Sequence, residues 1–305
     1  MDNDDKIFLL TADFGSPVLD KIRHDFKKRF INVGIAEQNL INISCGLALE
    51  GFKVYAYAIA PFLTMRAYEQ NRNNLSLFAQ LRALNINLIG VGAGLSYDVS
   101  GPTHHCLEDI ALMRIFPNFI VISPSDNLIT SASFHYSLSI NKPKYLRLDA
   151  KPFKPIYKEI RSEDFQRGFC HLLKGNQVCL VSTGFMTQVA LKAAHILRKQ
   201  KVSCGLLDLF IIKPVDEEIL FGILKNYKCI ITLEEAFIGK GGLDSTIASI
   251  LIKRKTGVVF ENIGVKDAYI FEQGGRQYLH KINGLDVHSI VKVAEKCLKR
   301  RNNGY

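Results

Sequence analysis

Short unbroken apolar runs alternate along this chain with longer stretches whose apolar residues return every third or fourth position. The runs Ile7–Leu10, Phe30–Val33, Val54–Ile59, Ile86–Val91, Phe119–Ile122 and Tyr145–Leu148 read as strands. Their continuous apolarity fits strands covered by helices on both faces. Between them the pattern predicts helices over Glu37–Leu49 and Leu107–Phe116. A second series opens at Val178–Val181. There Thr183-Gly184 turns into a stretch with Met186, Val189, Ala190, Ala193, Ala194 and Leu197 on one helical face. Strands follow at Ser203–Leu209, Cys229–Leu233 and Val258–Ile263, with a helix after Gly241-Gly242. Alternating strand and helix signals predict βαβ units, hence an α/β fold of two three-layer domains with mainly parallel sheets.

The segment Asp149–Arg161 breaks both series. It carries Pro152 and Pro155 and has no period. Proline fixes φ and removes a donor, so the segment reads as a linker. The two domains are placed at residues 1–155 and 156–305.

Composition narrows the class. With 305 residues, 48% of them hydrophobic and 22% charged, the chain can bury two cores. No apolar run approaches the ~20 residues of a membrane span, and the acidic start lacks the pattern of a secretory signal. No membrane partner is expected. Seven cysteines are scattered without a Cys-x-x-Cys pair, which fits buried free thiols in a reducing compartment and a cytoplasmic location. The net charge of +10 gathers partly in Lys253-Arg254-Lys255 and Lys299-Arg300-Arg301, with no basic and aromatic stripe, so no nucleic-acid partner is expected. A solvated surface and an attraction for phosphorylated sugars both stay open.

Candidate chemistry starts at Phe30–Asn39, a strand, a turn at Gly34 and a carboxylate, Glu37, opening a helix. An acid in a first helical turn is commonly there for the helix dipole alone. The wording Gly34-Ile35-Ala36-Glu37-Gln38, however, resembles the corresponding stretch of transketolases and 1-deoxyxylulose-5-phosphate synthases. Ala60–Gln70 resembles that family's aromatic segment, and Gly101-Pro102-Thr103-His104-His105 with Glu108 resembles its Gly-Pro-Thr-His loop. Val181–Gly184, Asp208-Leu209, Lys213–Glu218, Glu234-Glu235 and Gly241-Gly242 resemble its carboxyl-terminal domain. The order is the family's and spans nearly the whole chain.

The resemblance implies a pyrimidine-binding domain followed by the carboxyl-terminal domain, with thiamine diphosphate and Mg²⁺ as cofactors. Glu37 would meet the aminopyrimidine ring nitrogen, which requires a carboxyl that holds a proton near neutral pH; burial between Ile35 and Leu40 would supply that. Phe62 would stack on the pyrimidine ring. Met65 stands where the family often has a second aromatic, and Tyr68 would follow on the same helical face. Asp13 would lie near the thiazolium ring, against the plainer reading of a turn-capping aspartate. His104 would face substrate, against a loop histidine bonded to backbone. Ser100 replaces an aspartate that holds a sugar hydroxyl, and Gly92 stands where relatives carry a phosphate-binding histidine or arginine. Arg147 would hold substrate phosphate, against a plain surface arginine.

The family's Gly-Asp-Gly…Asn signature for metal and diphosphate is absent from the sequence. Gly239-Lys240-Gly241-Gly242 is no P-loop, since no Lys-Ser/Thr follows; close helix packing is its expected role. The resemblance therefore implies half a site. The other half would come from an amino-terminal transketolase subunit, in an α₂β₂ assembly that moves a two-carbon ketol unit between sugar phosphates. A deoxyxylulose-phosphate-synthase-like reaction, the β subunit of a 2-oxoacid dehydrogenase and a non-catalytic binding protein on the same fold are the alternatives.

Overall fold

A computed structural model of the chain describes residues 1–13 and 16–302. Its apolar runs form two sheets, each with helices on both faces. Seven strands build the first sheet: β1 (Ile7–Thr11), β2 (Phe30–Asn32), β3 (Lys53–Ile59), β4 (Ile86–Val91), β5 (Ile120–Ile122), β6 (Lys144–Leu148) and β10 (Ile211–Lys213). They lie in the order β10-β5-β6-β4-β3-β1-β2. All pairings are parallel except β10 with β5. The second sheet holds β7 (Phe169–Leu173), β8 (Val178–Ser182), β9 (Cys204–Leu209), β11 (Cys229–Phe237) and β12 (Val259–Val265), in the order β12-β11-β8-β9-β7. Here β7 alone is antiparallel.

The parallel strands lie where the unbroken apolar runs predict them, and the helix Glu37–Leu49 has the expected bounds. The helix expected over Leu107–Phe116 is shorter, Asp109–Ile115. Strands β7 and β10 have no counterpart in the sequence reading. Strand β10 is three residues long, too short for a period, and exists only because β5 offers it an edge. It closes that edge of the first sheet with chain that belongs, by sequence, to the second series. Lys213 then reaches back and donates twice, to the carbonyls of Arg114 (2.8 Å) and Phe116.

Two further motifs from the second series acquire structural roles. Glu234, fully buried, accepts from the amides of Leu243 (2.7 Å) and Asp244 (2.8 Å) and so caps the helix Leu243–Lys253. A Cβ on Gly242 would come within 2.3 Å of that carboxylate, so glycine is required there. Burial and the neighbouring Asp244 push the Glu234 carboxyl up to about 7. Of the glycine run expected to pack closely on a helix, Gly241 alone faces one, at Ala111, while Gly242 makes room for the Glu234 carboxylate. All seven cysteines are buried free thiols, and among the described residues no helix is long and apolar enough to cross a membrane.

Asp208 ties the two series together. Its carboxylate accepts from Ser125, Tyr157 (2.6 Å) and Thr187 (2.9 Å), and burial pushes it up to about 6 from the usual 3.8. A carboxyl with a raised folded pKa favours folding fully below its unfolded value and loses that contribution as pH rises through the folded one. Asp208→Asn, which keeps an acceptor without the charge, is therefore expected to gain stability relative to the parent between pH 4 and pH 7, by on the order of 2–3 kcal/mol. Urea midpoints across that range check it; a pH-independent difference would contradict it.

Candidate active site

The site is assembled at the carboxyl ends of the first sheet's strands, where parallel sheets place ligands. After β2 the chain turns at Gly34, whose φ of 77° suits glycine, and enters the helix at Glu37. Glu37 is 3% exposed. Asp13 sits across this turn. It exchanges hydrogen bonds with Asn32, its amide donating to Oδ1 (2.9 Å) and its Oδ1 accepting from Nδ2 (3.0 Å). Asn32 Oδ1 also accepts from the Gly34 amide (3.0 Å), so the side chain that caps this turn is Asn32, and Asp13 holds Asn32 in place rather than capping the turn itself.

The aromatic segment departs from the expected helix phase. Phe62–Arg66 winds as a π-helix. A wider turn keeps residue i+4 over residue i and swings i+3 away from it, and such bulges concentrate at functional sites. Arg66 lies over Phe62, its guanidinium carbon 4.8 Å from the ring centroid, while its Nη1 donates to Glu37 Oε2 at 2.8 Å. Sequence reasoning passed over Arg66. The expectation that Glu37 is buried between Ile35 and Leu40 is corrected: Leu40 is buried, but Ile35 is 75% exposed, and the carboxylate has a half-exposed guanidinium partner. Met65 is rotated outward and is 37% exposed. Tyr68 does not share the Phe62 face; it packs on Phe116, centroids 4.8 Å apart, in the core.

His104 joins the cluster from the loop after β4. Its ring lies 5.5 Å from that of Phe62, edge to face, and its ring Nδ1 pairs with the Thr103 hydroxyl at 3.0 Å. On its other side stands Tyr97, 6.1 Å away and nearly perpendicular. Tyr97 fills the space that a side chain at Gly92 would need, since a Cβ there would fall 2.1 Å from the ring. Ser100 is exposed on the same loop. His105, next to His104, is buried with neither ring nitrogen hydrogen-bonded, and burial pushes its pKa below the usual histidine range.

Arg147 is not in the site. It is 3% exposed, its Nε donates to the buried Asp109 (2.7 Å), and its Nη2 donates to the carbonyls of Cys106 (3.0 Å) and Glu235 (2.9 Å). These bonds join β6, the helix Asp109–Ile115 and β11. Against the expected phosphate-binding role, Arg147 lies inside the fold with its Nε and Nη2 held by Asp109 and two backbone carbonyls.

The gathered groups can hold a flat, nitrogen-bearing ring between a buried carboxylate and a phenyl face, with an imidazole beside it. Comparison with known proteins agrees in outline. The family model for the transketolase pyrimidine-binding domain matches residues 1–152, and that for the transketolase C-terminal domain matches residues 171–290. An apulose-4-phosphate transketolase subunit of Actinobacillus succinogenes is 32% identical over 271 residues, covering 88% of this chain and 85% of that protein. The 6-deoxy-6-sulfo-D-fructose transketolase subunit of Clostridium sp. strain MSTE9 is 31% identical, covering 98% and 91%. A solved structure described as a split gene transketolase, inactive beta4 tetramer, superposes with a TM-score of 0.84 at 30% identity, covering 98% of this chain and 93% of that one.

Proposed function

Because this chain belongs to the transketolase family, we propose that it is the carboxyl-terminal subunit of a split transketolase and transfers a two-carbon ketol unit between sugars. The observation that carries this reading is the convergence of Glu37, Phe62 and His104 from three separate segments. A buried carboxylate beside a half-buried phenyl ring fits the aminopyrimidine of thiamine diphosphate. When bound, that cofactor supplies a thiazolium carbon able to act as nucleophile and electron sink.

Glu37 would hold the proton at the pyrimidine ring nitrogen, and Phe62 would orient the ring by stacking. His104 would hydrogen-bond a substrate oxygen. Arg66 covers the Phe62 face and occupies Glu37, so its guanidinium is the group a bound ring would displace. Among the described residues no cluster of His, Cys, Asp or Glu could hold a metal ion. We assign Mg²⁺ and the diphosphate to a partner chain carrying the Gly-Asp-Gly…Asn signature that this sequence lacks. The inactivity named for the β tetramer of a similar split-gene enzyme supports that division.

The lone chain with thiamine diphosphate and Mg²⁺ is expected to show no ketol transfer, and addition of the partner to restore turnover. A coupled assay of both preparations tests this. Full turnover from the lone chain would overturn the split assignment.

A further inference from the structure

The loop that carries Tyr97 and His104 is closed at its base, where Gly94 and Cys106 exchange backbone hydrogen bonds (3.1 and 2.8 Å). Inside the loop the backbone makes turn contacts, such as the His104 amide donating to the Gly101 carbonyl (3.0 Å). Turns of this kind leave a loop free to open locally. The groups that fix it come from the second domain.

Strand β11 brings Glu235 against the first residues of the loop, and its Oε2 accepts from the Leu95 amide at 3.1 Å. A Cβ on Gly94 would fall 2.2 Å from that oxygen, so glycine lets the carboxylate approach the backbone. Arg276, the first residue of the helix Arg276–Asn283, grips the same carboxylate with Nε (2.8 Å) and Nη2 (2.6 Å). Its Nη1 donates to Asp149, whose other oxygen accepts from the Ser96 hydroxyl at 2.7 Å. Its backbone amide donates to Asp98 Oδ2 at 2.9 Å. One arginine therefore reaches Leu95 through Glu235, Ser96 through Asp149, and Asp98 directly. Ser96 and Asp98 flank Tyr97, whose ring stands edge to face with His104.

Arg276 is buried, and Phe185 covers it, the guanidinium carbon 3.6 Å from the ring centroid. Burial opposes the charge on Glu235, but Arg276 outweighs it and holds that carboxyl below the usual range. A buried, charged fork with fixed partners has little freedom, so it passes its own position to the loop. Glu37, Phe62 and Arg66 are held by contacts of their own, from other segments.

We propose that Arg276 is a positioning residue for the substrate side of the reaction: from the second domain it fixes the loop of Tyr97 and His104, and so sets how well His104 meets a substrate oxygen. This rests on the ketol-transfer reading. Cofactor binding, on the Glu37 and Phe62 side, does not depend on it.

Arg276→Gln tests this in the complex with the partner chain, with hydroxypyruvate as ketol donor and glycolaldehyde as acceptor. kcat/KM for hydroxypyruvate is expected to fall ~10-fold or more, while Kd for thiamine diphosphate changes by less than ~2-fold. Arg276→Lys, which keeps the charge but not the fork, should recover part of the loss. In the same complexes, hydrogen–deuterium exchange should quicken ~10-fold or more over residues 94–105 and stay unchanged over Glu37–Leu49. Should Arg276→Gln fail to fold, Asp98→Ala replaces it; this variant releases the residue after Tyr97 and should move both readings in the same direction. Equal losses in hydroxypyruvate turnover and cofactor affinity, or equal quickening over both segments, would mark a merely structural arginine and overturn the proposal. So would unchanged exchange over residues 94–105, or a loosened loop with the parent's kcat/KM. If the parent complex turns over no ketol donor, the ketol-transfer reading fails, and the exchange measurement then judges the clamp by itself.

Discussion

Arg147→Ala is expected to destabilise the protein by about 3–5 kcal/mol, the cost of breaking a buried ion pair from one side. The size follows from what would be left behind. Asp109 is wholly buried, and its Oδ1 already has no partner. Without Arg147 its charge would be opposed by a single donor, the Tyr145 hydroxyl at 2.7 Å. The carbonyls of Cys106 and Glu235 would lose their shared guanidinium donor as well. Arg147→Lys should fall between, since an ammonium keeps the charge but not the fork. Removing both partners, with Arg147→Met and Asp109→Leu together, should recover much of the loss because no bare charge remains. Urea midpoints of the three variants check this series. A stable Arg147→Ala whose only defect is poor use of phosphorylated acceptors would return Arg147 to the substrate site.

Glu37→Gln is expected to lower kcat of the assembled enzyme by ~10² or more while the affinity for thiamine diphosphate changes by less than ~10-fold. Glutamine keeps the size and can still accept from Arg66, but it cannot share a proton in the same way. The fold should tolerate the change, because the partner is half exposed and the lost helix-dipole interaction is worth only about 0.3–1 kcal/mol. Steady-state kinetics and cofactor titration of the same preparation separate the two effects. A kcat within a few-fold of the parent would remove Glu37 from the proton chemistry.

How much of the site could be read in advance depends on the range of the contacts involved. Glu37, His104 and Phe62 were legible because each belongs to a short motif that its neighbours in sequence shape. A strand, a glycine turn and a helix start put Glu37 where it stands. Arg66 was legible in principle, since an ordinary helical period also pairs residue i with i+4; what the π-turn hid is that Met65, at i+3, swings away from Phe62. The pairing of Tyr97 with Gly92 was hidden for a related reason. A glycine reads as freedom of the backbone, and only the packed fold displays the ring that occupies the vacated space.

By itself the sequence determined the two alternating series, the parallel sheets, the helix from Glu37 to Leu49 and the order of motifs that marks the family. All of these follow from periodicity and local backbone preference, which act over a few residues. Tertiary structure alone decided that β10 closes the edge of the first sheet and that Arg147 is a buried strut. Arg147 meets Asp109 across 38 residues and Glu235 across 88. An arginine at a strand end carries no sign of whether its counter-charge will be a substrate or a buried aspartate. The fold settles that by setting the distances over which charge and burial act.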